Sequence, residues 1–134
     1  ADRIGATMLF TGLVTLAALA LYFAMGLRVA MARSRYDVKA PAVTGHEMFE
    51  RHYRVHLNTL EWMPLFLASL WLFAFHVSDR YAALIGLAWI LGRVLYMLSY
   101  VRDPDSRGAG FSIQMVACAV LFVGSLIGIV LKMI

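Results

Sequence analysis

Four long apolar runs, separated by short polar segments, constrain this chain more than any other feature. The runs cover about residues 7–31, 45–75, 81–100 and 110–131 of a chain of 134 residues. Each run is long enough to cross a membrane, because a helical span needs about 20 apolar residues. No run alternates like a barrel strand, and backbone polar groups in lipid must be satisfied internally. The sequence therefore predicts an all-α fold, in which residues 1–134 form one integral membrane domain built as a four-helix bundle.

Composition supports a membrane protein and argues against a nucleic-acid partner. Hydrophobic residues make up 62% of the chain and charged residues only 15%, which is far from the composition of an ordinary soluble domain. The net charge of +4 would suggest nucleic-acid binding in a soluble protein. Here the basic residues gather between the apolar runs, which is typical of membrane topology signals and of sites for anionic ligands. We therefore predict no nucleic-acid partner.

The basic residues also predict an orientation in the membrane. Loops one and three and the span ends beside them carry six basic residues, which are Arg28, Arg33, Arg35, Lys39, Arg102 and Arg107. The opposite side carries three, which are Arg3, Arg80 and Lys132. Cytoplasmic loops are enriched in lysine and arginine. We therefore expect a multi-pass protein with loops one and three in the cytoplasm and both termini on the opposite side.

Polar side chains form one face on each of the second and third predicted helices. They are Arg51, Arg54, Asn58 and Glu61 on the second helix and Arg93, Tyr96 and Tyr100 on the third. At about 100° per residue, each set falls within a sector about 80° wide or narrower. Counted from the short turn between the helices, the two faces match in depth, which predicts a buried Glu61–Arg93 ion pair. Ionisable residues inside a membrane are costly and indicate a functional site.

Three interpretations of these faces remain open from the residues alone. A Glu61–Arg93 pair with neighbouring hydrogen bonds could simply hold the bundle together. A small proton-coupled drug transporter could use Glu61, although such a site should be acidic and this one is rich in arginine. A surplus of arginine beside tyrosine hydroxyls instead favours an anionic small molecule, because the guanidinium fork binds carboxylates bidentately. The four histidines show no metal-ligand spacing, so no metal is predicted.

The same residues resemble a known family. The resemblance rests on Glu50-Arg51, Arg54-Val55, Asn58, Glu61 and Pro64-Leu65-Phe66, and it continues through Arg33, Pro41, Thr44-Gly45, Arg93, Tyr96, Tyr100, Arg102 and Arg107. This pattern is similar to the membrane-associated proteins in eicosanoid and glutathione metabolism, the MAPEG family. The likeness is to the branch that holds the microsomal glutathione transferases and leukotriene C synthase. It covers roughly residues 28–107.

The resemblance implies a homotrimer with glutathione bound as co-substrate between neighbouring subunits, on the cytoplasmic side. It implies a detoxifying glutathione transferase for hydrophobic electrophiles, with peroxidase activity toward lipid hydroperoxides also expected. The residues it assigns to glutathione are Arg33, Arg54, His56, Asn58, Glu61, Trp62, Arg93, Tyr96 and Tyr100, with Arg33 contributed by an adjacent subunit. Arg107 matches the arginine that activates the thiol. A free thiol has a pKa of about 8.5, and a nearby guanidinium favours the attacking thiolate.

The chain departs from the family pattern at three positions. Trp62 stands where tyrosine is common, and His56 replaces a glutamine. Ser34 follows Arg33 where the synthase has a second arginine, which weakens any expectation of leukotriene formation. A non-catalytic, lipid-binding scaffold like the lipoxygenase activating protein is the alternative within the family. The presence of Arg107 argues against that role.

Overall fold

The computed structural model describes residues 8–134 and consists of four long helices. The helices are α1 (Leu9–Tyr36), α2 (Glu47–His76), α3 (Asp79–Arg102) and α4 (Gly108–Met133), with a 3₁₀ turn at Pro104–Arg107 before α4. Each helix is long and apolar enough to cross a membrane. The prediction of an all-α, four-helix integral membrane protein is confirmed.

The helices extend beyond the apolar runs because their polar ends remain helical. α1 continues to Tyr36, past the basic residues that end its apolar run, and α2 runs unbroken through Pro64. Which part of each helix lies in lipid, as the four predicted spans state, remains a prediction. The predicted start of the first span at residue 7, and Arg3, lie outside the described residues.

Side-chain caps fix where α2 and α3 begin. The His46 ring accepts a hydrogen bond at Nδ1 from the Met48 N–H (3.1 Å) at the start of α2. The Ser78 hydroxyl accepts one from the Tyr81 N–H (3.2 Å) at the start of α3. Each cap satisfies a backbone donor that has no partner inside its own helix.

α3 and α4 approach each other closely at two glycines. A Cβ atom on Gly110 would lie 2.4 Å from the backbone nitrogen of Tyr96, and one on Gly92 would lie 2.7 Å from that of Gln114. Small residues allow such close backbone approach between membrane helices. The contact holds the first turn of α4 directly against the part of α3 that carries Tyr96.

α1 is attached to the other helices by polar contacts as well as by packing. The Asp79 carboxylate accepts a hydrogen bond from the Thr11 N–H (2.9 Å) at the first turn of α1. The Trp71 indole N–H donates to the Thr15 hydroxyl (3.0 Å). These bonds fix the position of α1 against α2 and α3.

Candidate active site

A polar cavity of about 500 Å³ lies where α2, α3 and the start of α4 meet. It is lined by Arg54 and Asn58 from α2, Tyr96 and Tyr100 from α3, Arg107 from the 3₁₀ turn, and Phe111 from α4. All of these except Phe111 are predicted from the sequence. Residues that are far apart in the chain thus converge on one space that offers guanidinium, amide and phenol groups.

Glu61 joins this cavity through Arg54. The two guanidinium nitrogens of Arg54 lie 3.1 and 3.4 Å from the two carboxylate oxygens of Glu61, so the pair is bidentate. Both side chains are about half exposed, at 48% and 53%. Solvent weakens such a pair, and exposed ion pairs contribute little to stability. The pair therefore offers both charges to a ligand at the open edge of the cavity.

Arg93 lies behind the cavity and is completely buried. It donates one hydrogen bond to Asn58 Oδ1 (3.0 Å) and one to Thr59 Oγ1 (2.7 Å). Its guanidinium carbon also lies 4.4 Å from the ring centroid of Tyr96. A cation over an aromatic face is attracted by the ring quadrupole. Arg93 thereby holds two residues that line the cavity, Asn58 and Tyr96.

The predicted Glu61–Arg93 ion pair is wrong. Glu61 bonds to Arg54, whereas Nη1 and Nη2 of the buried Arg93 donate to the neutral acceptors of Asn58 and Thr59. Within residues 8–134, Arg93 Nε has no hydrogen-bond partner. Thr59 and Glu61 lie about 160° apart around α2, so Arg93 meets the inner side of the helix while Glu61 faces outward. The arrangement avoids the cost of burying the carboxylate together with the arginine.

Arg107 is exposed at the edge of the cavity. Its Nη1 donates to the Pro104 carbonyl (2.8 Å), which anchors the side chain to its own 3₁₀ turn. Across residues 8–134 it forms no ion pair. Tyr100 stacks on Tyr96 with ring centroids 5.5 Å apart, so both phenols lie beside this guanidinium in the cavity lining. Arg107 is thus a cation positioned by the backbone and not neutralised by a carboxylate.

Trp62 lies next to the polar cavity but in an apolar groove. Its ring meets Phe111 edge-on at 5.7 Å, and Phe111 in turn lies 6.2 Å from Tyr96. The groove has a volume of about 340 Å³ and is lined by Trp62, Leu65, Met115, Cys118, Ala119, Phe122 and Val123. Phe111 therefore separates a polar space from an apolar one.

Arg33 and His56, both predicted as glutathione ligands, do not line this cavity within one chain. Arg33 donates to the Ala42 carbonyl (2.7 Å) and lies over the Phe49 ring at 4.7 Å, so it holds the loop between α1 and α2. His56 stacks on Tyr22 with centroids 4.5 Å apart and so packs against α1. Their predicted roles toward a ligand remain predictions.

Arg51, although on the predicted polar face, has a structural role. It pairs with Glu47 on its own helix and donates to the carbonyls of Val101 and Arg102, both at 3.0 Å. Those carbonyls belong to the last turn of α3, where backbone acceptors lack helical partners and basic side chains commonly bind them. Arg51 thus caps α3 from α2.

Two residues at the site are not predicted from the sequence. Thr59 supplies an acceptor for Arg93, and the signal for it was a hydroxyl directly after Asn58 in an otherwise apolar stretch. Phe111 completes the cavity, and the signal for it was an aromatic residue one turn after Arg107. In the part of the chain that the structure describes, no group of three or more His, Cys, Asp or Glu side chains could hold a metal ion.

Comparison with known proteins agrees with this architecture. The family model described as "MAPEG family" matches residues 11–127. An uncharacterized protein of Synechocystis sp. is 41% identical over 122 residues, covering 91% of this chain and 89% of that protein. Human microsomal glutathione S-transferase 2 is 37% identical over 108 residues, covering 81% of this chain and 72% of the relative. Bovine leukotriene C4 synthase is 38% identical over 94 residues, covering 70% of this chain and 63% of the synthase. With most of its length matched, the chain belongs to the MAPEG family.

Proposed function

We propose that this protein is a membrane-bound glutathione transferase that conjugates glutathione to hydrophobic electrophiles. The observation that carries the proposal is the cavity in which Arg54, Asn58, Tyr96, Tyr100 and Arg107 converge. Glutathione offers carboxylates, an amino group and a thiol, which match guanidinium, carboxylate and phenol groups. The relatives named as a glutathione S-transferase and as leukotriene C4 synthase support the assignment.

In this proposal, one set of residues holds glutathione and another residue activates its thiol. The half-exposed Arg54–Glu61 pair would bind opposite charges on the ligand, with Glu61 accepting from the amino group and Arg54 binding a carboxylate. Asn58 and Tyr96, fixed by Arg93, would orient the peptide. Positioning of this kind reduces the entropic cost of reaction.

Arg107 would stabilise the thiolate, which is the species that attacks the electrophile. A fixed guanidinium near sulfur lowers the free energy of the anion relative to the thiol, and so lowers the thiol pKa. Arg107 exchanges no proton in this scheme, because arginine stays charged in proteins. The thiol proton leaves to water, and the sulfur lone pair then forms the bond to carbon as the electrophile's leaving group departs. The same thiolate would reduce a lipid hydroperoxide by attacking its terminal oxygen, which breaks the O–O bond and releases the lipid alcohol after protonation by water. The glutathione sulfenic acid that remains would react with a second glutathione to give the disulfide and water.

The apolar groove beside Phe111 would admit the second substrate. Its apolar lining comes from α2 and α4, and Trp62 of this lining packs against Phe111, which also lines the polar cavity. A hydrophobic electrophile could therefore move laterally from lipid to the thiolate without crossing water. Trp62, predicted as a glutathione ligand, lines this groove.

A homotrimer is part of the proposal, and the open cavity supports it. Arg54 and Arg107 are both exposed in a single chain, so one side of the site lacks a wall. In a trimer, Arg33 and His56 of a neighbouring subunit would supply that wall. We further propose that the site faces the cytoplasm, with both termini on the opposite side, on the basis of the lysine and arginine count.

Conjugation of chlorodinitrobenzene by purified protein in detergent tests the function. We expect glutathione-dependent conjugation, reduced about 100-fold in Arg107→Ala. Arg102→Ala is the matched control, because Arg102 is exposed at the same end of the bundle and does not line the cavity. A folded protein that binds lipid but neither conjugates nor binds glutathione would instead be a scaffold.

A further inference from the structure

A second polar cavity lies at the same end of the bundle, between α1 and α2. It has a volume of about 320 Å³ and is lined by Arg28, Met31, Ala32, Arg35, Tyr36 and His52. None of these residues lines the polar cavity of the proposed active site. The second cavity therefore requires its own explanation.

The charges in this second cavity are all basic. Arg28 and Arg35 lie seven residues apart on α1, so they share one face of the helix about 10 Å apart along its axis. Within residues 8–134 the ion pairs are Arg51–Glu47 and Arg54–Glu61. Neither Arg28 nor Arg35 has a carboxylate partner there. The cavity thus presents guanidinium groups that no acidic side chain neutralises.

Aromatic stacking holds one of these cations in position. The guanidinium carbon of Arg35 lies 5.6 Å from the centroid of the Tyr36 ring. The Tyr36 ring is itself stacked on His46 with centroids 4.2 Å apart. A cation over an aromatic ring is attracted by the ring quadrupole and does not use its N–H donors for that contact, so they stay available for an anion. His52 and Tyr36 add one ring N–H and one hydroxyl to the lining.

The surface around this cavity is apolar. Met31 lies between the two arginines on α1 and is 70% exposed, and the adjacent Leu27 is 50% exposed. Arg28 therefore sits two turns inside the end of a membrane helix, next to side chains that suit lipid tails. A soluble anion needs only the cations, whereas a lipid needs the cations and the apolar surface together.

We propose that the Arg28–Arg35 cavity binds the phosphate headgroup of an anionic phospholipid. Arg28 and Arg35 bind the phosphate oxygens, His52 and Tyr36 donate further hydrogen bonds, and the acyl chains lie along Met31 and Leu27. Phosphate is the shared chemistry of a lipid headgroup and of free inorganic phosphate. The exposed apolar surface favours the lipid.

Native mass spectrometry of the full chain in neutral detergent, titrated with phosphatidylglycerol or phosphatidylcholine, tests this proposal. We expect about tenfold stronger retention of phosphatidylglycerol, because each basic residue near a surface adds measurably to anionic-lipid affinity. The variant Arg28→Gln/Arg35→Gln should lose that preference. The matched control Lys39→Gln/Arg102→Gln removes the same charge from exposed positions at the same end and should keep it.

Each outcome decides the proposal. The proposal would be overturned if the control variant lost the preference for phosphatidylglycerol as fully as the arginine variant. It would also be overturned if the arginine variant kept that preference. Either result would indicate unspecific attraction between the lipid and the basic end of the bundle. Displacement of phosphatidylglycerol by an equal concentration of inorganic phosphate would overturn the lipid assignment. Helical circular dichroism checks that the variants fold, and the single variant Arg35→Gln, at an exposed position, provides the same comparison if the double variant does not.

Discussion

Arg93 lies behind the polar cavity and Arg107 lines it, and the two cations have opposite environments. Arg93 is completely buried, donates to Asn58 and Thr59, and lies over the Tyr96 ring. Arg107 is exposed and is held by a single backbone carbonyl. Arg93 therefore binds groups of the protein itself, whereas the guanidinium of Arg107 remains available to a ligand.

The two arginines of this site therefore have different roles: one stabilises the fold and the other acts on a bound ligand. A buried guanidinium with neutral acceptors fixes the side chains around it, and removing it leaves those acceptors unpaired. An exposed guanidinium contributes little to folding but can act on whatever anion is bound. We therefore expect substitutions in the buried cluster to change stability, and substitutions at the open edge to change ligand binding and catalysis.

The largest effect on stability is expected from Arg93→Met. The substitution leaves the Thr59 hydroxyl and the Asn58 amide oxygen without their donor and removes the cation over Tyr96. We expect the free energy of unfolding to fall by about 3 kcal/mol. Thermal unfolding in detergent measures it, with Arg102→Met, an exposed position on the same helix, as the control. Equal melting temperatures for the two variants would contradict the buried role of Arg93.

Gly110→Ala should cause the next largest loss of stability. Its Cβ would lie 2.4 Å from the Tyr96 nitrogen and 2.8 Å from the Gly92 oxygen, so backbone and not a flexible side chain must move. Overpacking of this kind costs about 2 kcal/mol, and moving α4 would also displace Tyr96. The control is Gly108→Ala, where a Cβ would meet nothing within 4 Å. A melting temperature for Gly110→Ala that matches the control would argue against the close approach of α3 and α4.

Thr59→Val should have a smaller effect that depends on Arg93. Loss of the hydroxyl leaves one buried guanidinium nitrogen without its acceptor, and we expect a cost of about 1 kcal/mol. In the Arg93→Met background the same change should cost much less, since no donor remains to be stranded. A double-mutant cycle measures this coupling. Additive effects would mean that the 2.7 Å contact contributes nothing to stability.

Glu61→Gln should leave stability nearly unchanged, because the Arg54–Glu61 pair is half exposed and such pairs contribute about 0–1 kcal/mol. If Glu61 accepts the ligand amino group, the KM for glutathione should rise about tenfold with little change in kcat. Glu50→Gln on the same helix is the control. A fall in kcat without a change in KM would assign Glu61 a role in the chemical step instead.

The sequence predicted the four helices and most of the cavity lining, because apolar length and a polar face on a helix depend on local pattern alone. It did not predict the partner of Arg93. Helix geometry showed that Glu61 and Asn58 share a sector, but it did not show which side of α2 is buried. That choice depends on how α2 packs against the other three helices, which the residue order along α2 does not show.

Arg33 and Arg51 show a second limit of the sequence pattern. Both are cations at the correct end of the bundle, yet one holds a loop and the other caps α3. An arginine side chain long enough to reach a ligand is also long enough to reach a distant carbonyl. The pattern therefore identified the basic residues but not which acceptor each of them would bind.

In the proposed mechanism, the exposed guanidinium of Arg107 stabilises the thiolate of bound glutathione. Ultraviolet absorbance of the thiolate, followed against pH in the purified protein, measures the thiol pKa directly. We predict a pKa well below the value of about 8.5 for a free thiol, restored toward that value in Arg107→Ala and unchanged in Arg102→Ala. Glutathione that binds normally with the same low pKa in Arg107→Ala would contradict the claim.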